Sequence, residues 1–228
     1  MSIDLRKSIV IDLKKKIGLD GQKATVIVVL DVSPSMTNLY KNGDIQSLTE
    51  RLLALGLAFD DDGKIDMYGF STSHFKTPDV TIANIAGYVN KHLSSKINGG
   101  TSYAPVVSAI KDEFGKTGGT WLFKKPAMLD YPVFVIFITD GDNTDKPDTE
   151  AAITKASHHG IFFQFVGIGK EKFSFLEKLD NLTGRNIDNC GFFKADNIST
   201  ITDDRLYELL LIEFPSFVKE ARKKGLIK

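Results

Sequence analysis

Three stretches of the chain are apolar at nearly every position: Ala24–Leu30 (ATVIVVL), Pro132–Thr139 (PVFVIFIT) and Ile161–Gly167 (IFFQFVG). Such unbroken β-branched and aromatic runs predict parallel strands covered on both faces, because a half-exposed strand alternates instead. Ile65–Phe70 is shorter and more polar and predicts a fourth strand. Between these runs apolar residues recur every three or four positions, predicting helices over Ile45–Phe59, Ile82–Leu93, Tyr103–Phe114 and Thr149–His158. Ile45, Leu48, Leu52, Leu55 and Phe59 form one stripe aimed at a sheet. Helices are also expected at Ile3–Ile17, stopped by Leu19-Asp20-Gly21, and at Asp203–Lys224. The latter starts with paired aspartates and ends with Lys219, Arg222, Lys223 and Lys224, the charge order a helix dipole favours. Gly115–Asp130, with Trp121 and Phe123 in its middle, reads as a long irregular surface loop. Strand and helix patterns alternate throughout, so the expected class is α/β: a doubly wound sheet with helices on both faces.

The chain has 228 residues, and 29 basic side chains balance 29 acidic ones. A formal net charge of zero provides no electrostatic footprint for nucleic acid or for an anionic membrane. Cys190 is the one cysteine, which excludes an internal disulfide framework and fits a reducing compartment. The Met1–Leu13 start lacks the apolar centre of a signal peptide. The longest apolar run, Val133–Ile138, is far shorter than the ~20 residues that span a bilayer. A soluble, cytoplasmic protein is therefore expected, its oligomeric state open.

Ligands of open α/β sheets bind beyond the carboxyl ends of the strands. Two of the long strands end in aspartate there, Asp31 and Asp140. Asp31-Val32-Ser33-Pro34-Ser35 adds two hydroxyls at alternate positions, and Asn98-Gly99-Gly100-Thr101 adds a third ahead of a helix. The glycines permit a backbone approach that delivers Thr101 to the same rim. Asp31, Ser33, Ser35, Thr101 and Asp140 are all hard oxygen donors, which suits Mg²⁺, or Mn²⁺ and Ca²⁺, over zinc or copper. Two carboxylates do not complete the shell of about six oxygens that Mg²⁺ seeks, so water and an outside ligand must finish it. A cation left so attracts a carboxylate from another molecule. Each hydroxyl taken alone has a simpler explanation as a helix cap.

The joint pattern of Asp-x-Ser-x-Ser, Gly-Gly-Thr and strand-end Asp-Gly resembles the metal-ion-dependent adhesion site (MIDAS) of von Willebrand factor A-type (VWA) domains. That resemblance implies Mg²⁺ held by Asp31, Ser33, Ser35, Thr101 and Asp140, and a protein partner supplying a carboxylate. It also implies a three-layer Rossmann-like fold whose sheet has about six strands and one short antiparallel edge, for which His74–Val80 is the candidate. The implied layout is a single VWA domain over residues 1–228, with an N-terminal helical extension (1–20), a core (24–200) and a C-terminal helix (202–224). Tyr40-Lys41-Asn42-Gly43, Gln46–Phe59, Asp60-Asp61-Asp62-Gly63 and Gly99-Gly100-Thr101-Ser102-Tyr103-Ala104-Pro105 are similar to the bacterial tellurium-resistance (TerF-like) branch. That likeness implies a link to stress and toxic-anion resistance. Tyr40, His74 and Asp142 are expected to line the rim without touching metal, and no residue is given a catalytic role.

A second function fits part of the pattern. Asp140-Gly141-Asp142-Asn143-Thr144 spells the Asp-x-Asp-x-Thr of haloacid-dehalogenase-type phosphatases, with Asp140 as nucleophile and Asp142 as acid/base. It leaves Asp-x-Ser-x-Ser and Gly-Gly-Thr unexplained. The same stretch departs from a calcium loop at its sixth and twelfth places, Asp145 and Ala151, so Asp142 and Asp145 are expected to be solvated loop carboxylates. Asp60–Gly63 reads as a turn with Gly63 at positive φ. His74, His92, His158 and His159 have no spacing that assembles zinc, and no Gly-x-Ser-x-Gly elbow anchors a hydrolase triad.

Overall fold

The computed structural model describes residues 1–60, 62–120 and 123–228 and places the unbroken apolar runs in the middle of one sheet. Helix α1 (Ile3–Lys16) leads to β1 (Thr25–Asp31), followed by a 3₁₀ turn (Pro34–Met36), α2 (Thr37–Lys41) and α3 (Asp44–Phe59). Then come β2 (Lys64–Phe70), β3 (His74–Lys76), β4 (Val80–Thr81), α4 (Tyr88–His92), α5 (Ala104–Phe114), β5 (Thr117–Thr120) and β6 (Phe123–Pro126). The chain continues through β7 (Val133–Thr139), α6 (Lys146–Ala156), β8 (Ile161–Ile168), α7 (Ser174–Asp180), β9 (Cys190–Ala195), α8 (Asp203–Leu211) and α9 (Phe214–Lys223).

Among the described residues the main sheet runs β3-β2-β1-β7-β8-β9, with β4 also paired to β2. β2, β1, β7, β8 and β9 are mutually parallel, while β3 and β4 run antiparallel to β2 at one edge. The protein is thus the expected α/β fold, with a mostly parallel sheet and a short antiparallel edge. Every residue of β7 and β8 is buried, which is why their sequences show no alternation. Phe59 of α3 and Phe214 and Phe217 of α9 stack against Phe134 and Phe162 on one face. Tyr103, at the head of α5, packs with Phe70 and Phe137 on the other.

Helix α1 is bound to the body by charge as well as apolar contact. The two oxygens of Asp203 face two guanidiniums, Arg6 Nε at 2.9 Å and Arg51 Nε at 2.6 Å. Arg51 also donates to the Ile201 carbonyl at 2.7 Å. At the other end of α1, Lys14 Nζ donates to the carbonyls of Gln22 and Ala58 at 2.8 and 2.7 Å and lies over the Phe59 ring. Removing one partner of so buried a set leaves charges without compensation.

The structure departs from the sequence reading in several places. The Ile82–Leu93 helix shrinks to α4, because Asn84 accepts from the Thr81 amide and donates to the Asp79 carbonyl, and Gly87 turns the chain at φ +69°. The expected Asp203–Lys224 helix is broken into α8 and α9 at Ile212-Glu213, just before Pro215, which lacks the amide an unbroken helix needs. The Gly115–Asp130 loop contains the β5–β6 hairpin, in register from Thr117↔Pro126 to Thr120↔Phe123. Trp121 lies outside the described residues. Pro78 divides the expected His74–Val80 edge into β3 and β4. β9 and α7 carried too little periodicity to be predicted.

The break between α8 and α9 places Glu213 beside Asp180 and Asp188, with its Oε1 and the Gln164 Oε1 both crowding Gly191. Desolvation, then Asp180 and Asp188, push the Glu213 carboxyl up from 4.5 to about 7 against the opposing pull of Arg185. The folded state therefore binds this proton more tightly than the unfolded chain. Its stabilisation is complete below pH 4.5 and is lost as pH rises through about 7. Melting curves across that range should show wild type losing more stability with rising pH than Glu213→Gln, which keeps a neutral side chain throughout.

Candidate metal centre

β1 and β7 are parallel neighbours with Leu30 opposite Ile138, so Asp31 and Asp140 emerge side by side at the carboxyl rim. Asp31 is fully buried. Its Oδ1 accepts the Ser33 amide at 2.7 Å, its Oδ2 accepts the Thr139 hydroxyl at 2.6 Å, and its carbonyl accepts the Tyr40 hydroxyl at 2.9 Å. From there oxygens run in sequence: Ser33 Oγ is 3.0 Å from Ser35 Oγ, which donates to Asp140 Oδ1 at 2.7 Å. Four of the five expected ligands thus form one contiguous cluster.

The capping explanation of the hydroxyls is not realised. Ser33 occupies the cap position of the 3₁₀ turn, yet its side chain caps nothing. The cap position of α5 is held by Tyr103, not Thr101. The carboxylates are meanwhile held in an environment that disfavours their charge. Burial pushes Asp31 up from 3.8 to about 6, against the bonds from Thr139 and Ser33 and with a smaller push from Asp140. Asp140 is also raised by desolvation, opposed by its bond from Ser35. A cation beside them would relieve that penalty.

The Thr101 loop reaches this rim through its backbone. Asn98 N donates to the Val32 carbonyl at 3.0 Å, and Ser102 N donates to the Ser71 carbonyl at 2.8 Å. Gly99 turns the loop at φ +74°, where an added Cβ would lie 3.1 Å from Thr72 Oγ1 and 3.2 Å from Ser71 Oγ. Gly100 does not take a positive φ. The Thr101 carbonyl accepts Thr144 N at 2.9 Å and Thr144 Oγ1 at 3.0 Å. Among the described residues no hydrogen bond joins the Thr101 hydroxyl to the other four ligands.

Of the residues expected along the rim, Tyr40 is buried and supports the Asp31 backbone from beneath; burial raises its pKa well above the usual phenol range. His74 is exposed at the head of the edge strand β3. Asp142 is ion-paired to Lys146 and accepts the Asn143 amide, so nothing favours an acid/base role for it beside Asp140. Asp145 is not the solvated carboxylate expected: it accepts the amides of Tyr103 and Ala104 at the start of α5. Thr139 was also missed as the donor that orients Asp31, since a threonine closing an apolar strand carries no distinctive signal. Tyr103 is a third, its hydroxyl donating to the Gly141 carbonyl at 2.7 Å. Among the described residues no group of three His, Cys, Asp or Glu side chains is placed to hold a metal, so any cation here relies on hydroxyls.

The fold is that of a VWA domain. Residues 23–227 match the family described as the vWA found in the TerF C terminus, and the chain belongs to that TerF-like branch. It is 39% identical over 234 residues to the uncharacterized protein YcbR of Bacillus subtilis (strain 168), covering 100% of this chain and 90% of that protein. Among solved structures, proximal thread matrix protein 1 (PTMP1) of the mussel byssus, described with a zinc-occupied MIDAS motif, superposes with a TM-score of 0.60. It is 17% identical, and the match covers 83% of this chain but 47% of that one. The SpRpn10 VWA domain aligns at TM-score 0.52 and 8% identity over 87% of this chain and 95% of its own. VWA domains commonly bind metal ions and proteins and typically act as interaction modules.

Gly99→Ala should cost about 1–2 kcal/mol of folding stability, because an alanine at this positive φ is strained and its methyl meets Ser71 and Thr72. Denaturant titration of the two proteins measures the difference.

Proposed function

We propose that this protein is a metal-dependent protein-binding module, in which Asp31, Ser33, Ser35, Thr101 and Asp140 hold Mg²⁺ and the cation recognises a carboxylate of a partner protein. The observation that carries this reading is the spacing of the oxygens. Ser33 Oγ to Ser35 Oγ is 3.0 Å and Ser35 Oγ to Asp140 Oδ1 is 2.7 Å. Cis ligands of an octahedral ion with metal–oxygen bonds of about 2.1 Å lie about 3 Å apart. The raised Asp31 and Asp140 carboxyls support the same conclusion, since both would be stabilised as anions by a divalent ion.

Hard oxygen donors favour Mg²⁺, with Mn²⁺ and Ca²⁺ as chemical alternatives, and the occupied MIDAS of PTMP1 supports a divalent ion in a site of this kind. Three of the five ligands are neutral hydroxyls and the two carboxylates act directly or through water, so the cation is incompletely neutralised and draws a partner's carboxylate to the coordination position left open. No residue is assigned a catalytic role. We place the protein in the cytoplasm, in stress or tellurium resistance, on the strength of the TerF-like branch and the buried, unreactive Cys190 thiol. No helix among the described residues is long and apolar enough to cross a membrane, and zero net charge offers nucleic acid no attraction. Residues 1–228 act in this reading as one VWA unit, with α1 an integral part through Arg6 and Lys14.

Calorimetric titration should show Mg²⁺ binding to wild type and none to Asp31→Ala, with the circular dichroism of the two proteins alike. Affinity purification followed by mass spectrometry should recover a partner that a chelator releases; a partner retained in chelator would leave the cation a structural role only.

A further inference from the structure

The start of α5 has an unusual arrangement of hydrogen bonds. An α-helix leaves its first amides without partners inside the helix, and a side chain just before it normally accepts them. Here Tyr103 stands at the cap position, makes no side-chain capping bond to the helix, and is followed by Ala104 and Pro105. The acceptor comes from the Asp140 loop, about forty residues further along. Asp145 Oδ1 accepts Tyr103 N at 3.0 Å and Asp145 Oδ2 accepts Ala104 N at 2.9 Å, a carboxylate at the positive end of an 11-residue helix. Asp145 is itself fixed by Asn143 Nδ2 at 2.7 Å and Thr149 Oγ1 at 3.2 Å, from residues that are 5% and 0% exposed. One position earlier, Thr144 bonds the Thr101 carbonyl through both its amide and its hydroxyl.

We propose that Thr144 and Asp145 are positioning residues for the metal site, joining the loop that carries Asp140 to the loop that carries Thr101 and so setting where the Thr101 hydroxyl stands. The proposal rests on the metal-binding reading above. Asp31, Ser33, Ser35 and Asp140 hold one another directly, whereas the Thr101 side chain is bonded to none of them. Among the described residues its place is set through its loop, by Asn98 on Val32, Ser102 on Ser71, the 3.3 Å contact of Ser102 Oγ with Thr144 Oγ1, and this double link to the Asp140 loop. Loosening the link frees the one ligand that the others do not hold. Mg²⁺ demands near-ideal octahedral geometry and short bonds, while Ca²⁺ accepts more ligands at longer and more variable distances. A slack Thr101 therefore penalises Mg²⁺ more than Ca²⁺, so the ratio of the two affinities reports positioning apart from stability.

The experiment titrates Mg²⁺ and Ca²⁺ separately into the full chain as wild type, Asp145→Asn and Thr144→Val, with thermal melting of each without metal. Asp145→Asn turns one acceptor into an NH₂ group facing an amide donor. It should weaken Mg²⁺ about tenfold or more, the range seen when the outer partner of a metal ligand is lost, and Ca²⁺ by clearly less. Thr144→Val removes both hydroxyl contacts, to the Thr101 carbonyl and to Ser102 Oγ, keeps the backbone bond, and should shift the ratio the same way by a smaller factor. That variant decides the matter if Asp145→Asn fails to fold. Unchanged affinities, or equal losses for both ions in a folded variant, overturn the proposal alone. A wild type that takes up neither ion overturns the metal reading and this proposal with it.

Discussion

A carboxylate at the mouth of the central strand, closed off from solvent, constrains the rest of the rim. Asp31 ends β1, whose neighbours on both sides run parallel and whose interior is uniformly apolar. The carboxyl is desolvated, no basic side chain among the described residues pairs with it, and hydroxyl and amide donors surround it instead. Thr139 approaches from the end of β7 and the Ser33 amide from the following turn, while Tyr40 fixes the carbonyl. The Val32 amide closes the turn onto the Phe70 carbonyl of β2. Three adjacent strands are therefore brought level at this point, and the turn bonded there sets the buried Ser33 beside the exposed Ser35.

The buried charges elsewhere follow different rules. Asp203 is paired with two arginines, one of which also reaches Glu50 at 3.9 Å, and joins α1, α3 and α8. Glu213 is set against two further acids and keeps its proton to near neutral pH. Among the described residues Asp31 and Asp140 have no arginine partner, and burial raises both carboxyls, so a cation at the rim would offset that desolvation.

Two aspartates of the Asp140 loop show how far position outweighs residue type. Asp142 pairs with Lys146 one helical turn on and stays exposed. Asp145, three residues later, turns inward and caps a helix that has no cap of its own. Nothing in the order Asp-Gly-Asp-Asn-Thr-Asp separates them, because the partner of Asp145 is contributed by α5 from far back in the chain. The sequence reading offered the Thr101 hydroxyl as a cap for this helix, and nothing in it pointed to Asp145.

The strands β1, β7 and β8 and the long helix α3 were legible in the sequence, and so was the set of five oxygen side chains from which the metal reading is proposed. Burial on both faces writes itself into consecutive apolar residues, and hard-donor chemistry is a property of the side chains themselves. The break at Ile212-Glu213, the short α4 and the β5–β6 hairpin were not legible, since each is decided by local hydrogen bonds or pairing that hydrophobic periodicity does not register. The convergence of Asp31, Ser33, Ser35 and Asp140 within hydrogen-bond reach, and the separate anchoring of Thr101, were decided only by tertiary structure. Distances between loops that lie 39 to 109 positions apart depend on strand register and on which loop caps which helix, and neither is encoded in any one segment.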